Sequence, residues 1–168
     1  MKRNRRIGIN GNYINSLEFK SIEYIRGYLH NYADLNTPNS TLSYDYGIIE
    51  FAKSDNNIES LKNLVDEFKN QPIKLKLVEE LEFKNSIGKW FFENGELSEV
   101  KFNDKRKENE IERFYALLNN FLEIKSYFRI ENLKSEFETV HLDLGVFYEY
   151  FLLIGDKKNC LLYFRYDD

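Results

Sequence analysis

His141 and Asp143, in the stretch VHLDLG, stand one residue apart. On a strand that spacing puts both side chains on one face. A carboxylate there orients the imidazole and raises its basicity, as a general base requires. The bland alternative is a polar contact with no chemistry. Glu79, Glu80 and Glu82 form an acidic cluster. Read on a strand, Glu80 and Glu82 share a face and Glu79 points away. Paired carboxylates can bind a cation or move protons, but no further ligands accompany them, and a solvated acidic surface explains them as well. Cys160 opens an apolar stretch, where a thiol serves packing. His30 falls near the end of a helical stretch, where it complements the dipole as a structural residue.

A second pattern is spread along the chain. Tyr44 and Tyr46 flank Asp45, Trp90 precedes Glu93 and Glu96, and the last residues, YFRYDD, end in Asp167 and Asp168. Aromatic side chains anchor protein interfaces, and acids steer a basic partner toward them. These eight residues are the candidate partner-binding set. Core packing accounts for aromatics too, so the pattern rests on the mixture rather than on any one ring.

Other chemistries lack support. GINGN has no continuation to a phosphate-binding Lys and Ser/Thr, and no Rossmann glycine run occurs. No cofactor or metal is expected. The single cysteine excludes an intramolecular disulfide and a cysteine metal cluster, and it fits a reducing compartment. The net charge of −4 argues against direct nucleic-acid binding. The exception is MKRNRR, which reads as a flexible basic arm over 1–6. The polar IGINGNYINS after it is no signal-peptide core. No run approaches the roughly 18 apolar residues of a spanning helix. The expected location is the cytoplasm, with no membrane contact.

These residues need elements to position them. The 168 residues suffice for one core, and 2 Pro and 8 Gly leave no obvious linker, so 1–168 reads as one globular domain. Ile7 and Ile9 begin a short strand. Ile22, Ile25, Leu29 and Tyr32 predict a helix over about 19–33. TLSYDYGIIEFAK alternates as a strand. Ile58, Leu61, Leu64, Val65 and Phe68 mark an amphipathic helix capped by Asp55 or a neighbouring Asn. IKLKLVEELEF reads as a long strand, and Asn94-Gly95 as a hairpin turn. Residues 73–102 then form a three-stranded meander. A long helix is expected from about 103 to the SYF at 126–128, and a short one over 131–138. The final 146–166 reads as two strands apolar on both faces, the pattern of a sheet covered on both sides.

The expected fold is α+β: one domain with a largely antiparallel sheet packed against about three helices. In size, acidity and aromatic content the whole chain resembles bacterial toxin-immunity proteins, without a family-specific motif. Its Asn, Lys and Ile usage points to a low-GC bacterial source. The resemblance implies a small acidic inhibitor that occludes the active site of a basic toxin or nuclease. Two alternatives stand beside it. One is a structural or regulatory subunit forming a homodimer; the other is a hydrolytic enzyme using His141 and nearby carboxylates.

Overall fold

Polar side chains at three loop ends start three of the four helices. In the computed structural model, which describes residues 21–38, 42–131, 133 and 147–167, Ser21 accepts from the Glu23 amide and starts α1 (Ile22–Asn36). Asn56 accepts from the Glu59 amide and starts α2 (Asn57–Leu64), as expected of that neighbourhood. Asn103 accepts from the Arg106 amide and starts α4 (Asp104–Leu122). The remaining helix, α3 (Glu80–Phe92), has no side-chain cap; Glu80 and Glu82 in its first turn complement the dipole instead.

Five strands form one antiparallel sheet: β1 (Ser43–Ala52), β2 (Lys74–Val78), β3 (Ser126–Glu131), β4 (Phe147–Ile154) and β5 (Lys158–Asp167). Their order is β1-β5-β4-β3-β2. The closing hairpin therefore lies inside the sheet. Phe151, Leu152, Leu153, Cys160, Leu161, Leu162 and Phe164 are buried, on both faces of the strands. That agrees with the double-sided apolar pattern.

The two faces are covered unequally. One packs against α1, α3 and α4 through Leu29, Phe83, Ile87, Phe91, Phe114 and Leu118. The other is covered by Leu61 of α2 and by Phe68 of the 3₁₀ turn Asp66–Phe68, against Ile130, Tyr150, Leu152 and Leu161. The described residues thus form a single α+β domain, with four helices among them where about three were expected.

Residues 73–102 correct the meander. Only β2 is a strand there; α3 follows, and then a 3₁₀ turn at Glu96–Glu99. Phe83, Ile87, Trp90 and Phe91 recur at helical spacing and turn one stripe to the core. Asn94-Gly95 is a helix exit rather than a hairpin turn. Gly95 has φ 95°, and a Cβ there would lie 2.7 Å from the Asn36 carbonyl oxygen. The strand faces expected of Glu79, Glu80 and Glu82 fall with the meander, because Glu79 precedes α3 and the other two sit in its first turn.

The long helix also ends earlier than expected. Glu123 adopts a left-handed conformation (φ 52°), and its amide bonds to the Asn119 carbonyl. The Asn119 side chain accepts from the Ile124 amide, so 126–128 are free to open β3. The expected strand at Ile7 and Ile9, the arm at 1–6 and most of the short helix over 131–138 lie outside the described residues.

Candidate functional site

Three strands meet where α3 stops covering the sheet. Tyr44 of β1 is opposite Tyr166 of β5, which is opposite Phe147 of β4. Their rings form a row: Tyr44 and Tyr166 are 5.0 Å apart, and Tyr166 and Phe147 are 6.4 Å apart. Tyr44 and Tyr166 are half-buried, whereas Phe147 is 68 % exposed. The row is one wall of a cleft of about 740 Å³. Lys89, Trp90 and Glu93 at the end of α3 line it as well, with Asn94 and Gly95 just beyond.

A charge network forms the inner end. Arg129 of β3 donates from Nε to Glu149 Oε1 at 2.8 Å, from Nη2 to Ser86 Oγ at 3.0 Å, and from Nη1 to Glu82 Oε1. Glu149 also accepts from Trp90 Nε1 at 2.9 Å and from Ser86 Oγ at 3.2 Å. The Arg129 guanidinium lies 5.5 Å from the Phe151 ring centre. Burial works against the Arg129 charge, but Glu149 and Glu82 outweigh it and hold its pKa above the ordinary value. Lys76 Nζ also lies 3.9 Å from Glu82 Oε1, so two cations meet the two carboxylates.

The α3 exit is held from behind. Asn36, fully buried at the end of α1, donates to the carbonyls of Trp90 and Phe91 and accepts from the Leu97 amide. Tyr46 Oη donates to the Trp90 carbonyl at 2.7 Å. These bonds satisfy helix-end carbonyls inside the core and set the Trp90 ring against Phe164 at 5.6 Å.

The structure brings together part of the expected partner-binding set. Tyr44, Trp90 and Glu93 line the cleft. Glu96 lies near enough that, after burial and Tyr166, its charge helps raise the Tyr44 hydroxyl pKa. Tyr46 is buried beneath Tyr44. Asp45 points to the other sheet face and pairs with Arg165 at 2.7 Å. Asp167 pairs with Ser43 in the β1–β5 register. Asp168, His141 and Asp143 lie outside the described residues.

The remaining candidates take structural places. Glu80 pairs with Lys84 and accepts from Tyr115 Oη, and Glu82 holds Arg129. His30 is exposed, 3.5 Å from Asp34. Cys160 is fully buried, and burial pushes its thiol up to about 12, far from a thiolate nucleophile at neutral pH. Among the described residues, no group of three or more His, Cys, Asp or Glu side chains could hold a metal ion. Nor is any described helix long and apolar enough to cross a membrane.

Arg129, Phe147, Glu149 and Tyr166 were missed as site residues. A signal for two of them existed. Glu149 is the lone charge of an otherwise apolar strand, and Arg129 stands between apolar Phe128 and Ile130. Such charges call for partners when the strands are covered. No protein-family model matches the chain, and no curated protein matches it.

Proposed function

We propose that the protein is a small acidic protein-binding domain of the cytoplasm, an immunity-type inhibitor that neutralises a basic toxin or nuclease by occluding its active site. The observation that supports this reading is the convergence of Tyr44, Trp90 and Glu93 on one cleft whose rim carries an exposed Phe147. Aromatic anchors inside a polar rim are the usual composition of an interface centre. Acidic side chains at the rim raise the encounter rate with a basic partner and suppress like-charged ones. The cleft has no need of a reaction centre to act this way, because covering a site built for phosphate suffices.

Co-purification from native host lysate tests this, with tagged wild-type protein and a Phe147→Ala variant run side by side. The expected result is one stoichiometric basic partner, retained by wild type at moderate salt, reduced at high salt and by the variant. Its enzymatic activity is expected to fall on adding the purified wild-type protein. A partner retained equally by the variant would move the interface elsewhere on the surface. A partner whose activity is untouched would make the protein a scaffold rather than an inhibitor.

A further inference from the structure

We infer that Asn94-Gly95 is a site of spontaneous deamidation, a covalent change that turns the lining of the cleft from neutral to net negative as the molecule ages. The inference does not depend on the inhibitor reading. Asn-Gly is the pair in which this chemistry is easiest, because glycine has no Cβ to obstruct its own nitrogen as a nucleophile. The sequence holds two such pairs, Asn10-Gly11 and Asn94-Gly95, and the second lies among the described residues. There, at the exit of α3, it is free to react. Asn94 is exposed, and its side-chain amide has no hydrogen-bond partner among the described residues. The Gly95 N–H has none there either, although the amide before it, that of Asn94, donates to the Lys89 carbonyl at 3.0 Å. A nitrogen engaged in a ladder must give up its bond before it can lose its proton. Asn85-Ser86 supplies the contrast: it lies inside α3, with Ser86 buried and its amide in the helical ladder.

The reaction balances with water alone. The Gly95 nitrogen loses its proton to solvent base and attacks Asn94 Cγ. A new C–N bond forms, the bond from Cγ to the side-chain nitrogen breaks, and that nitrogen takes a proton from solvent and leaves as ammonia. A five-membered succinimide remains. Water then adds to one of its two carbonyls and opens the ring. One opening gives aspartate; the other gives isoaspartate, whose main chain runs through Cβ and Cγ. Either product carries a new carboxylate, ionised at neutral pH. The cleft is lined by Glu93 and Glu149 against Lys89 and Arg129, two charges of each sign, so one more carboxylate tips it negative. The isoaspartyl product also lengthens the main chain just before Gly95. An added Cβ at Gly95 would already lie 2.7 Å from the Asn36 carbonyl oxygen and 3.0 Å from the Tyr44 ring. The Gly95 carbonyl is held by the Ser98 amide at 3.0 Å. The extra atom therefore strains the exit that Asn36 fastens.

The full wild-type chain is held at physiological temperature, at neutral and mildly alkaline pH, and sampled over days. A parallel sample in guanidinium chloride gives the rates of the unfolded chain. Each sample is digested with trypsin in heavy-oxygen water, which marks any conversion during digestion, and weighed by mass spectrometry. Cleavage after Lys84, Lys89 and Lys101 yields fragments 85–89 and 90–101, in which Asn85 and Asn94 are the sole side-chain amides. Fragment 90–101 is expected to gain one mass unit, faster at the higher pH, and at a folded rate within about threefold of the unfolded one. Fragment 85–89 is expected to convert at least about tenfold more slowly in the folded chain than in the unfolded one, because Ser86 must first leave the helix ladder. Enzymatic carboxyl methylation of isoaspartate is expected to label 90–101. Asn94→Gln, at an exposed position, is expected to abolish both signals with thermal unfolding unchanged. The isoaspartyl form is expected to unfold at a lower denaturant concentration than the Asn94→Asp variant.

Conversion of 90–101 in the unfolded chain but not in the folded one would show that the fold protects the pair, and would overturn the inference. Equal slowing of both fragments on folding would overturn it as well, and so would conversion confined to the fragment that holds Asn10. An isoaspartyl form as stable as the Asn94→Asp variant would overturn the strain at Gly95.

Discussion

Glu149 holds three donors at once, from Arg129, Trp90 and Ser86. Its side chain is 20 % exposed and that of Arg129 is 23 % exposed, so neither charge is well solvated if its partner is lost. Removing one member of such a pair leaves the other uncompensated, while replacing both with apolar groups is far less damaging. Glu149→Leu and Arg129→Met are each expected to lower stability by about 2–3 kcal/mol. The double variant is expected to lose clearly less than their sum. Urea unfolding of the four proteins closes the cycle, and additivity of the two losses would show that the pair is not coupled. Glu149→Leu should also release the Trp90 indole N–H and shift its emission.

At the scale of elements, the cleft depends on where α3 stops. Asn36 links the end of α1 to the last carbonyls of α3 and to the amide of Leu97 in the following turn. An alanine there would strand the Leu97 N–H and the Phe91 carbonyl in the core. Asn36→Ala is therefore expected to cost about 2–3 kcal/mol, seen as a lower urea midpoint with an unchanged slope. A loss below about 0.5 kcal/mol would mean that water or a shifted backbone replaces the amide. The same element shows why 73–102 is hard to read from sequence. IKLKL alternates as a strand and does form β2. Asn94-Gly95 meets the criteria of a hairpin turn and of a helix stop equally. Phe83, Ile87, Trp90 and Phe91 do carry the helical period, but Leu81 interrupts it and is 69 % exposed in the fold. At α4 the period runs on past Leu122, and the stop is made by a left-handed Glu123, which sequence preference does not favour.

The whole molecule buries phenols. Tyr28, Tyr32, Tyr46 and Tyr115 all have hydroxyl pKa values raised, first by burial. Tyr32 stands at about 12, where a free tyrosine titrates near 10. Above about pH 10 the unfolded chain therefore gives up protons that the native state keeps, and stability falls as pH rises. Below about pH 10 that contribution is fully present; it disappears as pH climbs toward the folded values. Phenolate absorbance and far-UV circular dichroism, followed together through alkaline pH, are expected to show a late ionisation step that coincides with unfolding. Twelve tyrosines titrating near 10 with the fold intact would contradict the buried hydroxyls.

The amino-acid order alone determined the α+β class, α1, β1, α2 and the two closing strands. In each the apolar period is long, unambiguous and bounded by polar or turn residues. It also indicated which residues share a strand face, so Tyr44 and Tyr46 were separable from Asp45. Only the tertiary structure decided that β5 lies between β1 and β4, and this order sets Tyr166 between Tyr44 and Phe147. It also placed Arg129 beside Glu149, on a strand whose first three residues, 126–128, periodicity had assigned to the preceding helix. The cleft joins residues from 19 to more than 100 positions apart. Periodicity reports which way a side chain faces within its element. It carries no information on which elements lie side by side, because that depends on how their apolar faces pack in three dimensions.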